Sequence, residues 1–102
     1  MIKTVKILGV AFSLEDFEEE MRTDNRMGRC DIKTAKIILA KNMPTEIKEA
    51  TFIHEAVHAV DMFSELGLTE KEVSAIGHCI YAVLKDNAFL KEDFLQCDST
   101  VK

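Results

Sequence analysis

Residues 42–87 of this 102-residue chain, NMPTEIKEATFIHEAVHAVDMFSELGLTEKEVSAIGHCIYAVLKDN, decide the fold because they predict two consecutive helices. Pro44 is well tolerated at a helix start, so we expect a long helix over about residues 45–66. Gly67 suits the position just after a helix, and the capping-box pattern TEKE (69–72) opens a second helix that runs to the end of the stretch. The sequence therefore predicts a tight helix hairpin.

Extended segments precede this hairpin. Residues 3–14 (KTVKILGVAFSL) alternate imperfectly between apolar and polar side chains and predict one strand with a bend or bulge at Gly9. Residues 15–27 are strongly charged and fit one or two turns of surface helix or an irregular crossing. Gly28 then opens a second extended segment with a turn near residues 33–35, which predicts a hairpin. A small antiparallel sheet of two to three strands follows.

The composition is that of one folded domain. The chain is 47% hydrophobic and 30% charged, with only four Gly and one Pro, which excludes a linker or a disordered tail. We predict a single α+β domain over residues 1–102, with strands mainly in 1–40 and the helical hairpin in 45–87. The segment 89–102 is expected to add a short C-terminal helix.

Charge and cysteine usage narrow the function classes. The net charge of −5 and the absence of a Lys/Arg cluster argue against nucleic-acid binding. No apolar run approaches the ~18 residues that cross a bilayer, so we expect a cytoplasmic protein without a membrane partner. Cys30, Cys79 and Cys97 are odd in number, lack CxxC spacing and are expected to be reduced. For Cys79 a buried structural thiol is favoured over an approach to a metal.

The motif H-E-x-x-H occupies the middle of the first predicted helix, at residues 54–58. His54 and His58 lie one turn apart on one helix face, so both imidazoles can reach one tetrahedral Zn²⁺. Glu55 lies beside them and suits the role of general base toward a water on the metal. The sequence predicts a catalytic zinc site, with satisfied or exposed histidines as the alternative.

The pattern around the motif supports a buried helix with one polar stripe. Polar residues recur at steps of three and four along this helix, whereas apolar residues cover most of the remainder. An ordinary surface helix fills such a stripe with Lys and Glu, but this one has two of the three histidines at its centre. The stripe consists of Thr51, His54, His58, Asp61 and Glu65.

A third protein ligand is required, and several side chains compete for the position. Asp61 lies about 10 Å from His54 along the helix axis, too far for both to bind one ion, so it is better suited to orient His58. An ordinary surface carboxylate is the alternative for Asp61, and Glu65 lies further still along the axis. The competing residues are Asp61, Glu65, Glu70, Glu72 and His78.

The second helix favours Glu72 among these candidates. Its apolar residues define an inward face, with Glu70 and Glu72 on the two flanks and His78 nearly opposite and exposed. An antiparallel hairpin brings Glu72 opposite the turn that follows His58, within reach of a long carboxylate side chain. The alternative is that Glu72 only closes the capping box with Thr69. The expected inward face is Val73, Ile76, Ile80, Val83 and Leu84.

These residues carry a resemblance to a known family. Residues 51–87 resemble the small zincin-type metallopeptidase domains of the ImmA/IrrE-like group, particularly the short versions encoded by phages and mobile elements. The matching features begin with an apolar residue before the H-E-x-x-H motif and Ala59 and Asp61 after it. They continue with a short Gly turn, Glu72-Val73, Tyr81 before Asp86-Asn87, and Gly28-x-x-Asp31 followed by Ile37-Ile38-Leu39.

The resemblance implies a gluzincin site and a substrate class. It implies zinc ligands His54, His58 and Glu72, the general base Glu55, and a cleft-edge strand at residues 37–40 that pairs with an extended substrate. A Tyr or His that stabilises the oxyanion is also implied, for which Tyr81 is a weak candidate because it lies outside the expected inward face. The implied substrate is a flexible segment of one partner protein, such as a repressor-like regulator.

The expected function is therefore zinc-dependent hydrolysis of a peptide bond in a specific protein partner. One alternative is a non-catalytic zinc-binding or protein-interaction module that retains the zincin-type site. Acidic charge, five Met residues and small size suit that reading, whereas the presence of Glu55 favours an enzyme. A second alternative is a structural protein without a metal.

Overall fold

The computed structural model describes residues 4–17 and 27–87 and has the predicted α+β class, with a four-stranded mixed sheet and two helices. The predicted C-terminal helix over 89–102 lies outside these residues. Residues 15–17, which were expected to begin a surface helix or crossing, instead extend a strand. In chain order the elements are β1 (Thr4–Ile7), β2 (Val10–Phe17), β3 (Gly28–Asp31), β4 (Lys36–Ala40), α1 (Thr45–Ser64) and α2 (Glu70–Asp86).

The first segment is a hairpin, so the prediction of one bent strand is wrong. Leu8 and Gly9 both have positive φ, 52° and 81°, and two consecutive residues of this kind reverse the chain direction. β1 and β2 therefore pair as antiparallel strands, with Ile7 opposite Val10. Alternation alone does not separate a bent strand from two strands joined by a two-residue turn.

The strand order β1-β2-β4-β3 also differs from the expected antiparallel sheet of two to three strands. β2 and β4 pair in parallel, and β3 pairs with β4 antiparallel. The chain enters β3 at the far edge of the sheet and returns as β4 between β2 and β3. Residues 37–40 consequently lie inside the sheet, and the predicted cleft-edge strand there is wrong because β3 forms that edge among the described strands.

The predicted turn between β3 and β4 is confirmed. Asp31 Oδ1 accepts hydrogen bonds from the backbone N–H groups of Lys33 at 3.0 Å and of Thr34 at 3.4 Å. The bonds from Thr34 and Lys33, together with the charge of Arg29, lower the pKa of the Asp31 carboxyl. The carboxylate therefore shapes the turn by satisfying its backbone donors.

Helix α1 packs its apolar side on one face of the sheet. An ion pair fixes the same contact, because the Nζ atom of the buried Lys48 lies 3.0 Å from Asp16 Oδ1 of β2. No helix in the described part of the chain has the length and apolar character needed to cross a membrane. The core consists of Ile7, Phe12, Leu14, Ile37, Leu39, Phe52 and Ala59.

Helix α2 presents a different face to α1 than its apolar pattern predicts. Val73 is fully buried as expected, and Gly77 is buried with it. Ile76, Ile80 and Val83, however, are 39%, 42% and 54% exposed, so the predicted inward face is largely wrong. With about 100° between successive residues, the side of α2 that faces α1 is rotated by roughly 70° from the apolar face.

Polar contacts between the two helices account for this rotation. Glu49 of α1 is fully buried, and its Oε1 accepts a hydrogen bond from the Tyr81 hydroxyl at 2.7 Å and lies 3.4 Å from Lys85 Nζ. Burial and the bond to Glu49 raise the pKa of Tyr81, which keeps the hydroxyl a donor. A rotation that buried the isoleucines would leave the Glu49 carboxylate without partners, which is costly inside a protein.

We therefore expect Tyr81→Phe to lower the free energy of unfolding by about 1–3 kcal/mol, because it removes a hydrogen bond to a buried carboxylate. Thermal and urea unfolding measure this loss. Glu49→Leu, which removes the acceptor, and the double variant complete a double-mutant cycle, which must give a coupling between positions 49 and 81. Additive losses would contradict the assigned contact.

Candidate metal centre

His54, His58 and Glu70 converge on one point between α1 and α2. The Nε2 atom of His54 lies 2.8 Å from Oε2 of Glu70, and the Nε2 atom of His58 lies 3.0 Å from Oε1 of the same carboxylate. The two imidazole rings meet edge to face, with centroids 4.9 Å apart. The predicted pair of histidines is therefore on one helix face, and both rings point to the same carboxylate.

The donor set fits a zinc ion. One ligand atom from each of the three residues lies within 4.8 Å of the others. Tetrahedral zinc with bonds of roughly 2.0–2.1 Å separates its ligand atoms by about 3.3 Å, so small side-chain movements would accommodate the ion. Two imidazoles and one carboxylate are also the protein ligands of a common class of catalytic zinc sites, which keep the fourth position open.

The structure brings Glu70, and not Glu72, to the histidines. Glu72 closes the capping box of α2: its Oε1 accepts the Thr69 N–H at 2.8 Å, and its own N–H donates to Thr69 Oγ1 at 3.1 Å. The side chain of Glu72 is thus engaged at the start of α2. The sequence contained this signal, because the TEKE pattern that predicts the helix start already assigns the Glu72 carboxylate to the backbone.

Glu55, the predicted general base, lies beside the histidines in the same cleft and is only 7% exposed. Gly28 of β3 lies close against it, since a Cβ atom at that position would lie 3.2 Å from Glu55 Cγ and 2.7 Å from Thr51 Cγ2. A residue without a side chain is therefore required where β3 crosses α1. Sequence reasoning did not predict this contact, because nothing local to Gly28 indicates it.

The two acidic residues at the end of α1 serve the loop between the helices. Asp61 Oδ1 accepts the Leu68 N–H at 3.1 Å, and the Leu66 N–H bonds the Asp61 carbonyl at 3.3 Å. Glu65 has a left-handed backbone, with φ of 55°, and ends the helix. Neither residue belongs to the possible metal-ligand group among the described residues. Asp61 was expected to orient His58, but its carboxylate instead holds the loop of the helix hairpin.

A cleft of about 900 Å³ surrounds the candidate centre. His78 is exposed as predicted, but it lines this cleft together with Ser74. Tyr81 does not line the cleft, because its hydroxyl donates a hydrogen bond to Glu49. Sequence reasoning did not single out Glu49. The cleft is lined by Met27, Gly28, Cys30, Ile47, Ala50, Thr51, His54, Glu55, His58, Met62, Glu70, Ser74 and His78.

The cysteines differ in their surroundings. Cys79 is exposed, so the expected buried thiol is wrong, and the rotation of α2 is the reason. Cys30 lines the cleft, where burial and the nearby negative charges of Glu55 and Asp31 raise its pKa to about 11. At neutral pH Cys30 is therefore a neutral thiol on the wall of the cleft. Cys97 lies outside the described residues.

We predict that Gly28→Ala lowers the free energy of unfolding by about 1–3 kcal/mol, because the added methyl group overlaps the Thr51 side chain. Thr51→Ser removes the overlapping methyl group, and serine can keep the hydrogen bond that the Thr51 hydroxyl donates to the Ile47 carbonyl at 2.8 Å. Unfolding curves should show partial rescue in the double variant. A loss that Thr51→Ser leaves unchanged would disprove the proposed steric contact.

Comparison with known proteins finds no protein-family model, no curated protein and no solved structure that matches this chain. The resemblance to the ImmA/IrrE-like group therefore rests on the H-E-x-x-H motif and the residues around it. The geometry of His54, His58, Glu55 and Glu70 is independent of that resemblance, because it follows from the fold of this chain alone.

Proposed function

We propose that this protein is a zinc-dependent metallopeptidase that hydrolyses a peptide bond in a specific partner protein. The proposal rests on the convergence of His54, His58 and Glu70, with the buried carboxylate of Glu55 in the same cleft. In this proposal Glu70 takes the ligand position for which the sequence favoured Glu72. A flexible segment of a repressor-like regulator is the substrate that the resemblance implies.

A zinc ion at this site would lower the pKa of a coordinated water and polarise a carbonyl group. Glu55 follows His54 on α1 and would accept the proton of the attacking water and pass it to the leaving nitrogen. Its low exposure keeps the carboxylate away from bulk water, in the same cleft as the proposed metal ligands. Ser74 and His78, one helical turn apart on the cleft wall, offer hydrogen-bond donors to the reacting carbonyl.

The edge of β3 offers a binding site for an extended peptide. The Ala40 N–H bonds the Met27 carbonyl at 2.9 Å, which makes these two residues a hydrogen-bonded pair. Since such pairs alternate along an antiparallel ladder, the backbone groups of Gly28 and Cys30 point away from β4. Both residues line the cleft, and β3 is an edge strand among the described residues, so a substrate strand can add to it beside the proposed metal ligands.

Metal content per chain, measured by elemental analysis on untagged protein, tests the site. We expect about one zinc in the wild type, none in His58→Ala, and affinity reduced more than tenfold in Glu70→Gln. Glu72→Gln is the matched control, since glutamine preserves the capping box and should leave zinc binding unchanged. Loss of zinc in Glu72→Gln with retention in Glu70→Gln would reverse the ligand assignment, and a wild type without zinc would exclude the proposed function.

The variant Glu55→Gln tests catalysis separately from binding. We expect it to keep its zinc and to lose hydrolysis at least a hundredfold, because an amide cannot accept the proton of the attacking water. A peptide mixture from a proteome, with new termini counted by mass spectrometry, provides the measurement. Equal cleavage by Glu55→Gln would exclude Glu55 as the base. One zinc per chain without cleavage by the wild type would instead support a non-catalytic zinc-binding module.

A further inference from the structure

Large apolar side chains remain exposed on the walls of the cleft. Met27, Ile47 and Met62 are 48%, 45% and 37% exposed, and all three line the space around the histidines. Exposed apolar surface that is gathered in a concave site commonly marks where a ligand binds.

The apolar side chains flank the candidate metal ligands along α1. Ile47 precedes His54 by seven residues, about 10 Å along the helix axis, and Met62 follows His58 by four residues, about 6 Å. An extended peptide places alternate side chains on the same face at intervals of about 7 Å. A peptide that lies in the cleft across the histidines can therefore place side chains against Ile47 on one side and Met62 on the other.

The charged groups that line the cleft are carboxylates, which tolerate a peptide with apolar side chains and repel an acidic one. The lining contains the carboxylates of Glu55 and Glu70 and contains neither Lys nor Arg among the described residues. In the proposed reaction both carboxylates already have roles, Glu55 as base and Glu70 as ligand. Among the described lining residues no permanent cation meets an acidic substrate side chain, and Ser74 and His78 offer it only hydrogen bonds, whereas apolar side chains can cover Met27, Ile47 and Met62.

We propose that the cleft selects polypeptide segments with a large apolar side chain next to the scissile bond and discriminates against acidic side chains there. This inference rests on the proposed zinc-dependent function and specifies its substrate class. The residues that determine specificity are Ile47 and Met62 on α1 and Met27 just before β3.

Hydroxamates test this specificity without the natural substrate, because they bind zinc directly. Three probes are titrated calorimetrically into zinc-loaded protein: acetohydroxamate, a hydroxamate with an isobutyl side chain, and one with a carboxyethyl side chain. We expect the isobutyl probe to bind roughly ten- to a hundredfold more tightly than acetohydroxamate, as expected when a leucine-sized side chain is buried. The carboxyethyl probe should bind no more tightly than acetohydroxamate.

The double variant Ile47→Gln/Met62→Gln should lose most of the preference for the isobutyl probe and keep its affinity for acetohydroxamate. Its control is Ile76→Gln/Ile80→Gln, which changes two helical isoleucines of similar exposure outside the cleft and should behave as the wild type. Equal binding of all three probes would overturn the inference, and so would tightest binding of the carboxyethyl probe. In either case, binding of acetohydroxamate would still support the metal site. Absence of zinc would instead remove the proposed function itself.

Discussion

The buried carboxylate of Glu49 is the constraint on which the rest of the helix hairpin depends. Its Oε1 holds both Tyr81 and Lys85, although Glu49 is fully buried and its Oε2 has no hydrogen-bond partner among the described residues. These contacts outweigh the apolar pattern of α2, since they turn Val73 and Gly77 toward α1 and leave a stripe of isoleucines in solvent. The same rotation directs Glu70 toward the histidines, so a polar contact remote from the cleft influences which carboxylate meets them.

Two glycines lie where the walls of the cleft meet the H-E-x-x-H helix. Gly28 lets β3 approach α1 closely at Thr51 and Glu55, whereas at Gly77 of α2 a Cβ atom would lie 3.4 Å from the His54 Cα atom, an ordinary contact distance. A side chain at position 28 would therefore push β3 away from α1, and Gly77 is buried against the backbone of His54. This arrangement keeps Glu55 shielded while the cleft stays open above the histidines.

The features that were predictable from sequence are those that local periodicity determines. The two helices, the capping box and the pairing of His54 with His58 all follow from spacings of three and four residues within one element. The sheet order, the exposure of Cys79 and the identity of the carboxylate that meets the histidines depend on how elements are placed against each other. An apolar stripe normally predicts the buried face of a helix. For α2 this prediction is wrong because the deciding contact joins Glu49 to Tyr81, two residues that are 32 positions apart in the sequence.

The exposure of Glu70 supports a binding role for the cluster over a structural one. Its side chain is 68% exposed, and ion pairs of such groups contribute little to folding because water screens them. The two histidines line the cleft with side chains that are 22% and 26% exposed. The contact therefore stabilises the fold only weakly. Coordination of a cation, as proposed above, would stabilise all three positions simultaneously.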